Sequence, residues 1–284
     1  MRSIVFGAGG LLGAHLVPVL TEQGPVHAVG RSAVAAASGV TPLAIDLAKA
    51  IDPATLPSEI DSVAYLAQSS RFRDFPEAAG DIFQVNTASL LAMLDFARRA
   101  GARNFVYAST GGVYAPSDDV VTETSPLASP MGFYPASKRA AELLCEAFAP
   151  FMNVVILRYF FIYGPGQKRD MLIPRLVDNV REGRPIGLDG QDGLRINPVH
   201  AADAAAATAA AMRLDRSATV NVAGPETLSL RDIACAIGAS VGREPNFEVH
   251  ADRRPASLIA GTAGMADLLV PPRRRLADSI ADLL

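Results

Sequence analysis

The chain has 284 residues, 26 basic against 29 acidic, a net charge of -3 and a hydrophobic half. Near-neutral charge with a single short basic cluster, Arg273 to Arg275, gives no electrostatic footprint for nucleic acid, and the cluster reads as a solvated face opening a last helix. No uninterrupted apolar run approaches the roughly 20 residues that span a bilayer, so no membrane partner is expected.

A first strand at "SIVF" (3–6) leaves no room for a signal peptide, and a cytoplasmic chain is expected. "VHAV" (26–29), "SVAYL" (62–66), "NFVYA" (104–108) and "VVILR" (154–158) are further near-continuous apolar runs, the pattern of strands buried on both faces. Between them "LLGAHLVPVLTEQ", "DIFQVNTASLLAMLDFARRA" and "SKRAAELLCEAF" carry helical spacing of apolar residues. Alternation of this kind predicts an α/β fold, a Rossmann-type doubly wound parallel sheet over residues 1–160. After the turn-rich "YGPGQ" (163–167) the elements shorten: helices near 170–182, 200–213 and 229–241, "ATVNVAG", and a closing helix. Residues 161–284 are therefore expected to form mainly a small substrate lobe, with the chain returning to the first domain around 185–220. Cys145 and Cys235 fall in helical patterns and are expected to be buried, reduced thiols.

"FGAGGLLG" places Gly7, Gly10 and Gly13 directly after the first strand and at the opening of a helix. Glycines there permit a tight turn, let backbone N–H groups approach a pyrophosphate and let the helix pack on the strand, so a dinucleotide is the expected cofactor. The second strand ends in Gly30 and Arg31 where NAD-preferring proteins carry an acid. An arginine at that place pairs with a 2′-phosphate, so NADP is preferred over NAD.

The three lysines are Lys49, Lys138 and Lys168, and one of them closes "YPASK", four residues after Tyr134. If this segment opens a helix, phenol and ammonium share a face, and the pair is a candidate for proton transfer. No metal ligand set is apparent.

With the glycine turn, "FVYASTGGVY", "YPASK" and "LRYFFIYGPGQ" in order, the chain resembles the extended short-chain dehydrogenase/reductase superfamily, in its NAD(P)-dependent epimerase/dehydratase family. The resemblance implies that Tyr134 and Lys138 are catalytic, that Thr110 holds the substrate oxygen with Ser109 as the neighbouring candidate, and that Lys138 grips the nicotinamide ribose. It further implies cofactor contacts from Leu11 and Leu12 beside the glycines, from Asp46 and Leu47 in "AIDLA", from Leu66, Ala67 and Gln68 in "YLAQSS", from Asn86, and from Phe160. A phenol that works near neutrality needs a downward shift of about three pKa units, roughly 4 kcal/mol. A unit charge at about 4 Å supplies about that much at an effective dielectric of 20, so Lys138 is expected to lower the Tyr134 pKa.

Departures from the family pattern bear on the substrate. The dehydratases' acidic pair after the catalytic hydroxyl is Gly111 and Gly112 here, which disfavours elimination of water. Phe161 stands where nucleotide-sugar enzymes carry an asparagine, while Arg195 and Arg254 fall where pyrophosphate-binding arginines do. The leucine-glycine-tryptophan turn survives only as "DLLVPP", which suggests a trimmed lobe. His200 reads as a packed or helix-capping residue. The expected activity is epimerisation or oxidoreduction of a nucleotide sugar by hydride transfer at a carbinol carbon. The alternatives are NADPH-dependent reduction of a small ketone or aldehyde, and a cofactor-sensing protein without catalysis. A homodimer through the helices holding "TASLLAMLDFARRA" and "SKRAAELLCEAF" is expected from their apolar surface.

Overall fold

The computed structural model describes residues 1–32 and 37–284. In chain order its elements are β1 (Ser3–Phe6), α1 (Leu11–Thr21), β2 (Val26–Gly30), β3 (Val40–Ala44), β4 (Ser62–Tyr65), α2 (Ala79–Phe83), α3 (Ser89–Arg99), β5 (Asn104–Thr110), β6 (Ser117–Val121), α4 (Phe133–Phe148) and β7 (Asn153–Tyr159). There follow α5 (Leu172–Glu182), β8 (Ile186–Asp189), β9 (Arg195–Ile196), α6 (Ala201–Ala211), β10 (Ala218–Val222), β11 (Leu228–Ser229), α7 (Leu230–Val241), β12 (Phe247–His250), β13 (Leu258–Ala260), α8 (Ala263–Leu268) and α9 (Leu276–Ser279).

Seven strands form one parallel sheet in the order β10-β7-β5-β4-β1-β2-β3. The order reverses between β1 and β4, and such a switch point opens a crevice at the carboxyl ends of the strands. Every residue of β1 and β4 is buried, as their unbroken apolar runs require of strands covered on both faces. One face is covered by α1 and α6, where Ala204, Ala205 and Ala207 are fully buried and let the helix lie close against the sheet. The other is covered by α3 and α4 through Leu90, Met93, Leu94, Ala141 and Cys145. The Rossmann-type architecture expected from the alternation is thus the one observed.

β3 is the one strand of this sheet that the apolar runs do not announce. It lies at the sheet edge and contains Pro42. A proline gives the ladder no donor and is tolerated at an edge, where neither face has to be uniformly apolar.

The remaining strands form a four-stranded sheet, β11-β9-β13-β6, and a β12-β8 pair. These frame a separate core in which Ile173, Leu176, Val177 and Val180 of α5 meet Ile233 and Ile237 of α7 and Leu276 of α9. Helix α7 begins with a capping box between Ser229 and Asp232, and α5 and α7 both end on a left-handed glycine, Gly183 and Gly242. One expectation is corrected here. Cys145 is buried, but Cys235 lies on the solvent face of α7, because its neighbours Ile233, Ala234 and Ile237 take the buried stripe. Among the described residues no helix is long and apolar enough to cross a membrane.

Candidate active site

A cleft of about 520 Å³ opens at the carboxyl ends of the central strands, where the glycine turn, the end of β5, the start of α4 and the segment after β7 converge. Its floor is the turn after β1. Gly7 has φ of +88°, and a Cβ there would stand 2.9 Å from the Ala67 backbone nitrogen. At Gly13 a Cβ would lie 2.4 Å from the Gly7 carbonyl oxygen, so α1 packs on β1 only because that residue has no side chain. Gly10 caps α1 without a side-chain hydrogen bond, and no acidic residue stands in the first turn. The free N–H groups of this turn form a cradle that suits a pyrophosphate, and the residues present fit a dinucleotide.

The chemistry-bearing groups stand above this floor. Helix α4 starts at Phe133, so Tyr134 and Lys138 are successive-turn neighbours on the face toward β5. The Tyr134 hydroxyl donates to the Gln68 side-chain carbonyl at 2.8 Å, and its ring centroid lies 5.1 Å from that of Phe72. Lys138 is buried, donates to the Ala108 carbonyl oxygen at 2.8 Å and lies over the Tyr107 ring. Thr110 ends β5, and its Oγ1 accepts from the Gly112 N–H at 3.1 Å.

The electrostatics differ from the sequence argument. Burial pushes the Tyr134 phenol above its ordinary range, with the Thr110 hydroxyl pulling the other way. Burial also pulls the Lys138 ammonium down to about 7, against the opposing influence of Cys145 and Glu142. The expected lowering of Tyr134 by Lys138 is therefore not found: both groups are desolvated, and desolvation favours the neutral form of each more than their mutual attraction favours the charged forms.

Behind this pair runs a buried polar ladder with no forewarning in the sequence. Glu142, two turns beyond Tyr134, is fully buried. It accepts from Ser109 Oγ at 2.5 Å and from Arg158 at 3.0 and 2.8 Å. Arg158 also donates to Tyr114 Oη at 2.6 Å, and Tyr114 donates to Asn221 Oδ1 at 3.0 Å. Burial opposes the charge on Glu142, yet Arg158 and Ser109 hold its carboxyl below the usual range. Ser109 is thereby committed to the ladder, one residue before Thr110.

The cleft gathers most of the sequence-derived candidates. Gly7, Gly10, Leu11, Leu12, Gly13, Leu66, Gln68, Ser109, Thr110, Tyr134, Lys138, Phe160 and Phe161 all line it. Outside its lining lie Arg31, Asp46, Leu47, Ala67, Asn86, Arg195 and Arg254. Arg31 is exposed, with Nη1 3.3 Å from Ser70 Oγ. Asp46 accepts from the Ala48 N–H, and Leu47 is buried with its carbonyl taken by Ser89. Asn86 is buried, bonded through Oδ1 to the Ser69 N–H and through Nδ2 to Ser137, so it ties the loop after β4 to α4. Arg195 is exposed on β9, next to Ile196, whose partner Leu258 lines the cleft. Arg254 is exposed beyond β12. His200 caps α6, its Nδ1 accepting from the Ala202 N–H at 3.1 Å, in keeping with the expected capping role.

The far wall comes from Phe72, Phe161, Met171, Leu172, Ile173 and Leu258, of which only Phe161 was singled out in the sequence. Phe161 has φ of 46°, the only positive φ at a non-glycine among the described residues. Asparagine tolerates that left-handed backbone far better than phenylalanine, which gives a physical reason for the family pattern at this position.

The chain is similar to several known proteins. The Bacillus subtilis (strain 168) protein named uncharacterized UDP-glucose epimerase YtcB is 27% identical over 272 residues, 86% of this chain and 83% of its own length. A dTDP-glucose 4,6-dehydratase of Streptomyces griseus is 31% identical over 232 residues, 78% of this chain and 70% of that one. The structure of MoeE5 in complex with UDP-glucuronic acid and NAD superposes with a TM-score of 0.86 at 26% identity, covering 99% of this chain and 97% of that one. The family described as NAD dependent epimerase/dehydratase matches residues 3–223, including the glycine turn, the Tyr134–Lys138 pair and the ladder through Asn221, and the chain belongs to that family.

Proposed function

We propose that the chain is a nicotinamide-dinucleotide-dependent epimerase or oxidoreductase of a nucleotide sugar, acting at a carbinol carbon. The observation that carries this reading is the convergence of Tyr134, Thr110 and Lys138 on one cleft whose floor is the glycine turn. A bound nicotinamide dinucleotide supplies the hydride acceptor and donor. Tyr134 moves the proton of the substrate hydroxyl, Thr110 holds the same oxygen by hydrogen bond, and Lys138 holds the cofactor's ribose. Gly7, Gly10 and Gly13, with Leu11 and Leu12, seat the pyrophosphate; Leu66, Gln68 and Phe160 flank it. Arg195 and Arg254, exposed and outside the cleft lining, are assigned to the substrate diphosphate from the family pattern.

Elimination of water is disfavoured on steric grounds as well as by composition. A Cβ at Gly111 would stand 2.6 Å from the Phe160 ring, so the acid that the dehydratase pattern places there has no room. A second reading, NADPH-dependent reduction of a small ketone or aldehyde, is favoured by the apolar far wall of Phe161, Met171 and Leu258.

The cofactor choice between NAD and NADP rests on different supports. MoeE5 is a complex with NAD, whereas the preference for NADP rests on Arg31 alone. A charge-assisted bond from Arg31 to a 2′-phosphate is worth about 1.5 to 3 kcal/mol, or about ten- to hundredfold in affinity. Calorimetric titration of both nucleotides against the parent and Arg31→Ala separates the two. The part around the seven-stranded sheet, to which α6, β10 and α8 return, is read as cofactor domain and the part around α5, α7 and α9 as substrate lobe, with exposed Leu91 on α3 and Leu143 on α4 as part of a homodimer contact. Two unpaired thiols suit a cytoplasmic compartment.

Incubation with UDP-glucose, UDP-glucuronic acid or their 4-epimers, with product sugars resolved by chromatography, tests the function. Epimerisation gives the other sugar with no net change in cofactor, while small-ketone reduction consumes NADPH mole for mole. No conversion of either substrate class would sink both readings.

A further inference from the structure

Tyr134 is reached by one acceptor that its assigned role does not require. Gln68 stands just beyond β4 and is exposed, and its side chain crosses toward α4 so that Oε1 accepts the phenol hydrogen at 2.8 Å. The hydroxyl of a general base has to give its proton away. A hydrogen bond in which the phenol donates stabilises the protonated form and opposes ionisation, while a donor aimed at the oxygen would do the reverse. Of the groups that could favour the ionised form, Lys138 is committed to the Ala108 carbonyl, and the Thr110 hydroxyl, which does pull the phenol down, is outweighed by burial, so the Gln68 acceptor adds to the side that keeps the proton.

We propose that Gln68 is a positioning residue for the Tyr134 proton: its side-chain carbonyl keeps the phenol in its donor state, so that the resting site is set to protonate a carbonyl oxygen. In that direction the Tyr134 O–H bond breaks as an O–H bond forms on the substrate oxygen. A bound reduced nicotinamide would supply the hydride and its electron pair to the carbonyl carbon, and the phenolate left on Tyr134 would recover its proton from solvent. The inference rests on Tyr134 being the proton carrier of the proposed function, and it adds which half of the hydride exchange the site is poised for.

The charged and titratable groups that face Tyr134 are few. Lys138 shares its helix, Thr110 reaches its hydroxyl and Tyr107 lies near it from β5, and Arg73, ion-paired to Asp170, lies over the neighbouring ring Phe72. None of these touches the Gln68 amide, so replacing Gln68 leaves them in place and isolates its contribution.

The test is a titration of position 134 in the cofactor-free protein. A fluorinated tyrosine at 134, whose electron-poor phenol ionises nearer neutrality, is followed by fluorine NMR in the parent, in Gln68→Met and in Gln68→Glu. Methionine keeps the length and removes the acceptor, and glutamate keeps an oxygen and adds negative charge. Loss of one hydrogen bond to the neutral phenol should lower the midpoint by up to about one pH unit in Gln68→Met. Gln68→Glu should raise it above the parent. A midpoint in Gln68→Met equal to or above the parent overturns the proposal, since Gln68 then either does nothing or donates to the phenol. This readout needs no substrate. Full activity in Tyr134→Phe would defeat the proposed function separately, whatever the titration shows.

Discussion

The wall of the cleft on the sheet side and the wall on the lobe side are built from different materials. On the sheet side, Thr110 and Tyr134 are held by rigid elements, and behind them Glu142 and Arg158 join α4, β5 and β7 through buried charges with every contact satisfied. On the lobe side, Phe161, Met171, Leu172 and Leu258 come from a turn, a helix start and a three-residue strand, and they offer only apolar surface. Groups that transfer a proton must be fixed to a fraction of an ångström, which polar ties at fixed geometry achieve. Surfaces that select a substrate need shape more than direction, and apolar side chains supply that. A substitution on the sheet side should therefore act on rate, and one on the lobe side on recognition.

The largest effect is expected at Glu142. Glu142→Ala strands the Arg158 guanidinium in the interior, and removing one partner of a buried pair costs about 3 to 5 kcal/mol. Denaturant unfolding of the cofactor-free protein measures this directly; a loss below about 1 kcal/mol would show that the ladder does not hold the wall.

Next in size is Tyr134→Phe. It keeps the ring against Phe72 and removes the proton, so turnover should fall by at least about a hundredfold while cofactor affinity stays near the parent's. Steady-state rates together with nucleotide titration check both halves.

The effect of Lys138→Met should depend on pH. The native ammonium titrates near 7, below its unfolded value, so between about pH 7 and 10 the unfolded chain binds the extra proton and parental stability rises with pH. Below that window both states are protonated and the burial penalty is fully present. Lys138→Met should therefore be the more stable protein at about pH 6. Its advantage should shrink on the order of 1 kcal/mol per pH unit through the window, as unfolding curves at several pH values would reveal. An advantage independent of pH would mean that Lys138 is not desolvated.

The smallest effect is expected on the lobe side. Phe161→Asn exchanges apolar contact for relief of left-handed backbone, two terms of about 1 kcal/mol that nearly offset. Stability should stay within about 1 kcal/mol. Once a nucleotide-sugar substrate is in hand, KM should move several-fold with kcat held, the signature of a binding wall.

How far these features could be read beforehand follows from how local they are. The Tyr134–Lys138 pairing was legible because four residues on a helix fix a shared face, and the glycine turn because it follows a strand directly. The central strands were legible because burial on both faces leaves an unbroken apolar run. β3 was hidden by Pro42 and by an edge position, and β9, β11 and β13 by having only two or three residues, whose pairing depends on partners far along the chain. Glu142 and Arg158 lie on different elements, and nothing in "SKRAAELLCEAF" or "VVILR" says that one will neutralise the other. Gln68 was named for its neighbours, but its bond to Tyr134 is a tertiary fact. The depressed lysine was missed because attraction between neighbours can be estimated from spacing, whereas desolvation requires knowing what closes over them.

The position of β10 has a consequence for synthesis. This strand, Ala218–Val222, pairs with β7 to finish the central sheet, and it arrives only after α5, β8, β9 and α6 have been made. A nascent chain that has emerged no further than residue 216 has β7 as an open parallel edge, with Val155 and Leu157 unpartnered on that side. Such an edge is a template for pairing with another chain. The ribosome thus delivers the last strand of the central sheet after α5, β8 and β9, and the β7 edge stays open for that interval.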